Sequence, residues 1–421
     1  MTQADFDIGV VGAGLTGRLM ALALAHEGMS VAIIDRDKPA NAPHSDSRTT
    51  AIAYASARLL MRLGLWAPLS STACPIHDII VRDSAPKSSL RNPPTNAGRL
   101  HFPSSLLPEA RSGKEDSDPN GALGYIIENT RLAAVFETAV EQSETITSFY
   151  GIDVTETHAA PGKRALTLSD GQTLRAPLLV ACDGKFSALR RQAGLRALSW
   201  PYQQKALVFN IAHEKSHQGT AYEMFYPGGP FAILPMLNDQ SSIVWTDNKK
   251  AADAYLSLSP DQFLSAVEDR VRADLGAISL ASTPAAWPLT FHYVPNPIAE
   301  RLVIAGDAAH TIHPIAGQGF NLAIKDIATL AEVVGEAARA GLDVGHGSVL
   351  TRYAKWRQFD TANLALGTDA INRLFSNDIP PLRWIRAAGL DIIQKIDPAR
   401  VFFMRHAGAD VGDLPSLMQP L

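Results

Sequence analysis

The sequence predicts an α/β fold: a Rossmann-like nucleotide-binding domain, an inserted antiparallel-sheet domain and a C-terminal helical region. Three observations predict it. Near the start, an apolar run ends in the glycine spacing Gly12-x-Gly14-x-x-Gly17. Two later apolar runs end in an acid beside a glycine, at Cys182-Asp183-Gly184 and at Gly306-Asp307. Between those two, residues 194–288 carry period-two alternation broken by turn residues, which is the texture of an antiparallel sheet.

The first of these signals is the most specific. Asp7-Ile8-Gly9-Val10-Val11 reads as a buried strand, the glycine loop follows, and a helical pattern then carries Leu19, Ala23 and Leu24 to a stop near Gly28. Residues 30–34 form a second strand that ends at Asp35. In such a unit Gly12 permits the tight turn, Gly14 leaves room for a pyrophosphate, and Gly17 lets the helix pack on the strand. Leu15 and Thr16 complete the loop. Asp35 stands where an acid accepts hydrogen bonds from ribose hydroxyls, with Arg36 beside it.

Arg48 precedes a helical pattern that carries Ala51, Ala55, Leu59, Leu60 and Leu63, with Gly64 as its C-cap. Arg48 suits a phosphate or the face of a ring, although a solvated surface arginine fits as well. Residues 79–82 and 99–102 read as strands around a Pro/Ser/Asn-rich turn at 85–96, and residues 104–120 as a mobile loop. Residues 131–139 are helical, with Arg131 in the first turn within reach of a pyrophosphate. Residues 147–155 read as one strand, on which Val154 could flank an adenine. Residues 164–168 and 172–175 form a hairpin about Asp170-Gly171. Asp183 ends the strand 178–182, with Ser187 and Arg190 on a short helix beyond it and Arg190 as its expected partner. Within the antiparallel region Phe209, Phe225, Tyr226 and Leu234 are candidates for an apolar substrate pocket.

The stretch Arg301 to Asp326 repeats the strand-loop-helix logic. Leu302-Val303-Ile304-Ala305 is a buried strand, Gly306-Asp307 lies at its carboxyl end, and a loop with Pro314, Gly317, Gln318 and Gly319 leads through Phe320 to a helix starting near Asn321. Carboxyl ends of strands are where open α/β sheets bind ligands. The helix N-terminus offers unpaired N–H groups and partial positive charge. Residues 348–363 are helical. Beyond them lies an apolar and basic region with Phe375, Ile392, Ile393, Ile396, Phe402 and Phe403 among Lys395, Arg400 and Arg405. That region is left open to packing on the body, a dimer contact or a membrane surface.

Composition sets the bounds. The 421 residues carry a net charge of −4, which gives no support for a nucleic-acid partner. The two cysteines, Cys74 and Cys182, make no disulfide framework and fit a reducing cytosol. No apolar stretch is long enough to span a bilayer, and the N-terminus lacks the cationic start of a secretion signal. No metal-ligand set is expected.

A single dinucleotide fingerprint and a Gly-Asp turn near residue 306 can share only a long ligand, and FAD fits: its ADP half at the first, its flavin half at the second. Together the segments Gly12-x-Gly14-x-x-Gly17 with Asp35, Cys182-Asp183-Gly184, and Gly306-Asp307-Ala308-Ala309-His310 through Pro314 and Gly317-Gln318-Gly319-Phe320-Asn321 resemble the class A flavoprotein aromatic hydroxylases of the 4-hydroxybenzoate hydroxylase type. The wording HTIHPIAGQGFNLAIKD and the closing GDLPSLM are most similar to the ubiquinone-biosynthesis ring hydroxylases. One departure is Cys182, where many relatives carry Ala or Gly.

The resemblance implies an FAD-dependent monooxygenase that uses NAD(P)H and O2 on a polyprenylated phenol. It implies that Arg48 and Arg131 hold the pyrophosphate side, Asp307 the ribityl chain, and Pro314 with residues 317–321 the flavin ring. It marks no catalytic acid or base. The expected organisation is an FAD-binding domain of residues 1–75, 121–192 and 286–372, a substrate domain of 76–120 and 193–285, and a helical region of 373–421. Three rivals are a flavin reductase or dehydrogenase, a flavin halogenase, whose W-x-W-x-I-P signature is absent, and a non-catalytic flavin-binding component of a ubiquinone-biosynthesis complex.

Overall fold

The computed structural model describes residues 3–39, 46–83, 98–107, 121–271, 275–377 and 379–420. The expected turn at 85–96 and most of the expected loop at 104–120 lie outside the described residues. Within them, Ser104–Leu106 is a short 3-10 turn.

Six strands form the nucleotide-binding sheet, in the order Ile298–Ala299, Leu302–Ile304, Leu178–Ala181, Ile8–Val11, Val31–Asp35, Ile146–Tyr150. All neighbours are parallel except the first pair. The buried strands Ile8–Val11 and Leu178–Ala181 are apolar at nearly every position, because helices and a second small sheet cover both faces. The helix Leu15–His26 packs on one face, and with it the long helix Gln318–Arg339, buried along most of its length. The opposite face is covered by a four-stranded sheet of Gln3–Asp5, Thr173–Ala176, Lys163–Leu168 and Val154–Ala160.

Here the structure corrects two expectations. Residues 147–155 are not one strand: Ile146–Tyr150 belongs to the six-stranded sheet and Val154–Ala160 to the four-stranded one, with Gly151 at positive φ between them. β-Forming residues on both sides hide such a break. Ala51 is not helical, since Thr49–Ala53 is a strand paired with Gly124–Glu128 and the helix begins at Tyr54.

The inserted region is a nine-stranded sheet, mostly antiparallel. Its long strand Leu198–His213 pairs with Gln240–Asn248 and Ala285–Tyr293. Asp78–Asp83 joins it parallel to Thr220–Tyr226. One face is backed by Pro260–Val271 around Phe209, Trp245 and Phe263. The far edge is His310–Thr311, paired with His292 and Tyr293. The chain that carries Gly306-Asp307 thus runs straight from the parallel sheet into the antiparallel one.

The predicted helix at 348–363 is the first half of a longer one, Gly347–Phe375, followed by Pro380–Gln394 and Asp397–Ala407. None of the described helices is long and apolar enough to cross a membrane.

Candidate functional site

Three chain turns meet at the carboxyl ends of three adjacent parallel strands. Gly12 donates from its N–H to Ile34 O at 2.8 Å, Cys182 N to Val11 O at 2.7 Å, and Ala305 N to Ala181 O at 3.0 Å. The three signatures therefore stand side by side at one sheet edge. Gly12 has φ +100° and lies so close to the Cys182 carbonyl that a Cβ there would sit 2.4 Å from it. A Cβ on Gly17 would fall 1.7 Å from the Gly12 carbonyl oxygen, the close helix–strand approach that this position demands.

Gly14 differs from both. It is exposed, and among the described residues nothing lies within 4 Å of where its Cβ would be. It precedes the helix Leu15–His26, and no described side chain caps that end, so the first N–H groups have no side-chain acceptor there. Such an end suits an anion held close to the backbone. Asp35 accepts from Ala13 N at 2.5 Å and from Asp37 N at 2.9 Å, which fixes its carboxylate over the glycine loop.

The distant signature touches the first directly. Gly306 has φ +60°, and a Cβ on it would lie 2.7 Å from the Thr16 methyl group. No described residue donates a hydrogen bond to the Asp307 carboxylate. It is open to solvent yet surrounded by protein, so desolvation pushes its carboxyl up against the pull of His310, Lys185 and Arg48. An acid so placed has hydrogen-bonding capacity to spare for hydroxyl groups.

Pro314 leads into a 3-10 turn ending at Gly317, and the long helix starts at Gln318 rather than near Asn321. Gly317 has φ +62° and approaches the Ala51 methyl group; it is the N-cap, without a side-chain cap. Asn321 lies in the first turn. It accepts from Ala53 N at 2.9 Å and donates to Ala51 O at 2.8 Å, clamping the helix start onto the strand Thr49–Ala53. Gln318 donates to Ala407 O at 3.0 Å, Phe320 is half-buried against the core, and Gly319 is exposed with open space about it.

The cationic candidates fall into two groups. Arg48 is held in place: its guanidinium pairs with Asp46 at 2.8 Å and lies 4.8 Å over the Trp287 ring. The Asp46 hydrogen bond raises the Arg48 pKa, with Asp307 adding to it. Arg36 and Arg131 are loose instead, with side chains 74% and 63% exposed and carboxylate partners at 3.9 and 3.8 Å. Val154 is buried among Val11, Ile34 and Leu168, and its N–H goes to the Asp153 side chain.

Two expectations are corrected here. Arg190 is not hydrogen-bonded to Asp183. Its guanidinium reaches His292 Nε2 and the Lys185 and Ala308 carbonyls, while Asp183 accepts from Ala188 N at 2.9 Å and leaves its other oxygen buried with no partner among the described residues. Phe209 and Tyr226 do not face the nucleotide-binding side, because both pack behind the sheet, with Phe263 and Arg270. Strand alternation puts Phe225 on the other face, against Phe375, and Leu234 packs toward the nucleotide-binding core.

Fold and site together define a protein built to hold a dinucleotide along one sheet edge, with the second anchoring turn supplied nearly three hundred residues after the first. The chain belongs to the FAD binding domain family, whose pattern matches residues 5–346. It is 37% identical over 403 residues to the ubiquinone hydroxylase UbiL of Rhodospirillum rubrum, covering 95% of this chain and 89% of that one. It is 30% identical to the 3-demethoxyubiquinol 3-hydroxylase of Escherichia coli, covering 93% and 95%. Among solved structures, p-nitrophenol 4-monooxygenase PnpA from Pseudomonas putida superimposes with a TM-score of 0.76 at 17% identity, over 98% of this chain and 100% of that one, a likeness of fold.

Proposed function

We propose that this chain is an FAD-dependent monooxygenase that hydroxylates the aromatic ring of a polyprenylated phenol in ubiquinone biosynthesis, with NAD(P)H and O2 as co-substrates. The observation that carries the reading is the abutment of Gly306 on Thr16, which sets the two signatures side by side. Similarity to ubiquinone hydroxylases along almost the whole chain supports it.

In this reading Gly12, Gly14, Leu15, Thr16 and Gly17 hold the pyrophosphate, Asp35 the ribose and Val154 the adenine side. Arg36, Arg48 and Arg131 supply positive charge, and Asp183 orders the neighbouring turn. Gly306 and Asp307 hold the ribityl chain, and Pro314 with Gly317, Gln318, Gly319, Phe320 and Asn321 lines the ring. Bound FAD would supply the redox chemistry: two electrons from NAD(P)H would pass through it to dioxygen, with one oxygen atom going to the ring and the other leaving as water. The start of the helix Gln318–Arg339 stabilises negative charge that develops beside it. The nine-stranded sheet covers the ring side and keeps water from the reacting atoms. Phe225 and Leu234 stand on the covering face.

A polyprenyl tail also demands an apolar route. The C-terminal helices expose Ile392, Ile396, Phe402 and Phe403 among Lys395 and Arg405, and this surface rests peripherally on a membrane in the proposed working state.

Purified protein with 2-polyprenylphenol and NAD(P)H under labelled dioxygen tests the reading. The expected result is a flavin spectrum and one labelled oxygen atom in the ring. NAD(P)H oxidation without label in the product sinks the oxygenase in favour of a reductase.

A further inference from the structure

The turn that carries Asp307 is held from behind by a carboxylate that no motif reading assigns. Asp326 lies two turns into the helix Gln318–Arg339 and its side chain is 2% exposed. One oxygen accepts from Gly306 N at 3.2 Å and from His310 Nε2 at 2.6 Å. The other accepts from Arg357 Nε at 2.8 Å, across from the helix Gly347–Phe375. Gly306 and His310 are the two ends of the turn, and Asp307 lies between them. His310 is also the first residue of the edge strand that joins the antiparallel sheet. Arg357 is itself directed by Thr361 Oγ1 at 3.2 Å and Asp360 at 3.4 Å.

We infer that Asp326 is a positioning residue for the cofactor: through Gly306 and His310 it fixes the turn that holds Asp307 beside the glycine loop. This rests on the FAD reading above. The geometry is specific to a carboxylate. Three donors converge on it, and an amide in its place would turn an NH2 group, itself two donors, toward one of them. Arg357 makes the buried charge tolerable, so the long helix is part of the device. A carboxylate of this kind sets how well an adjacent ligating group is oriented without touching the ligand, as do the partners behind metal-binding histidines.

The same side chains could instead serve stability alone. A neighbouring buried side chain separates the two roles. Lys325, on the same helix as Asp326, bonds Asp360 at 3.5 Å and Val411 O at 3.1 Å, and no hydrogen bond among the described residues joins it to the turn. The experiment compares Asp326→Asn, His310→Phe and Lys325→Met with the parent protein. It measures the FAD dissociation constant by flavin fluorescence, the visible circular dichroism of bound FAD, and the melting temperature of the cofactor-free protein.

Asp326→Asn should weaken FAD by on the order of tenfold to a hundredfold, the range such supporting partners show in metal sites, and alter the visible dichroism of the FAD that remains bound. His310→Phe should give a smaller loss in the same direction. Lys325→Met should lower the melting temperature while FAD affinity and dichroism stay with the parent. If folded Asp326→Asn keeps parental affinity and dichroism, Asp326 has no positioning role. If Asp326→Asn does not fold, His310→Phe decides by the same two readouts. If Lys325→Met weakens FAD as much as Asp326→Asn, the effect is general destabilisation and the inference is wrong. A parent protein that binds no FAD at all overturns the functional reading itself.

Discussion

At the residue scale, the glycines of the site do different physical work, and substitutions should separate them. Gly17→Ala would place a methyl group 1.7 Å from the Gly12 carbonyl oxygen. Overpacking of this kind costs about 1–3 kcal/mol or more, so both melting temperature and FAD binding should fall. Gly14→Ala meets no atom of the described residues within 4 Å and keeps an ordinary negative φ of −69°. The cofactor-free protein should melt within about 1 kcal/mol of the parent, while FAD affinity drops, because only the ligand would occupy that space. Equal FAD binding by Gly14→Ala and parent would show that the pyrophosphate does not approach there. Asp307→Ala should lose FAD at little cost in stability, since its carboxylate has no described hydrogen-bond donor to abandon.

At the element scale, Asn321 shows how one side chain seats a helix. It satisfies one N–H and one carbonyl of the strand Thr49–Ala53, both 268 to 270 residues away. Asn321→Ala leaves the buried Ala53 N–H without an acceptor, at a cost of about 1–3 kcal/mol, and a melting curve reads it directly. The helix Asp397–Ala407 carries a different burden. Its inner side gives the Ala407 carbonyl to Gln318, while Phe402 is 57% exposed on the outside. Phe402→Ser with Phe403→Ser should abolish flotation with anionic lipid vesicles and leave the flavin spectrum unchanged. Unaltered flotation would remove this helix from the membrane contact.

At the scale of the whole molecule, buried histidines make stability depend on pH. Burial, with Arg190 adding to it, holds His292 at about 4, and burial holds His313 at about 4 against the pull of Asp369. Unfolded histidine titrates near its ordinary value of 6.5. Between those values the unfolded chain binds more protons than the folded one, so stability rises with pH over that window. The stabilisation is complete above pH about 6.5 and is lost progressively as pH falls toward about 4. Melting temperatures across that range should fall steeply with acid, and His313→Phe should flatten the slope. His313 is an apt target because both ring nitrogens are buried with no hydrogen-bond partner among the described residues.

The wrapping of the C-terminal segment is also a property of the whole. Tyr54 donates to Asp410 at 2.7 Å, Lys325 to Val411 O at 3.1 Å and Trp356 to Asp413 O at 2.9 Å. The end of the chain thereby joins three helices that surround the nucleotide-binding core.

The sequence by itself determined the nucleotide-binding unit, the three glycine-marked strand ends and the antiparallel texture of the insertion. Those rest on local rules, because glycine sterics and the two periodicities act within a few residues along the chain. It also named Asp307 and the loop through Asn321 as one group. Only the tertiary structure decided which groups face one another. The break after Tyr150, the strand at Ala51, the face on which Phe209 packs, the grip of Asp46 and Trp287 on Arg48, and the junction of Asp326 with Gly306, His310 and Arg357 were not legible. Their partners lie on separate elements, up to 239 residues apart for Arg48 and Trp287 and 31 for Asp326 and Arg357. A buried charge finds its counter-charge by packing geometry, and no local pattern in a single chain records that geometry.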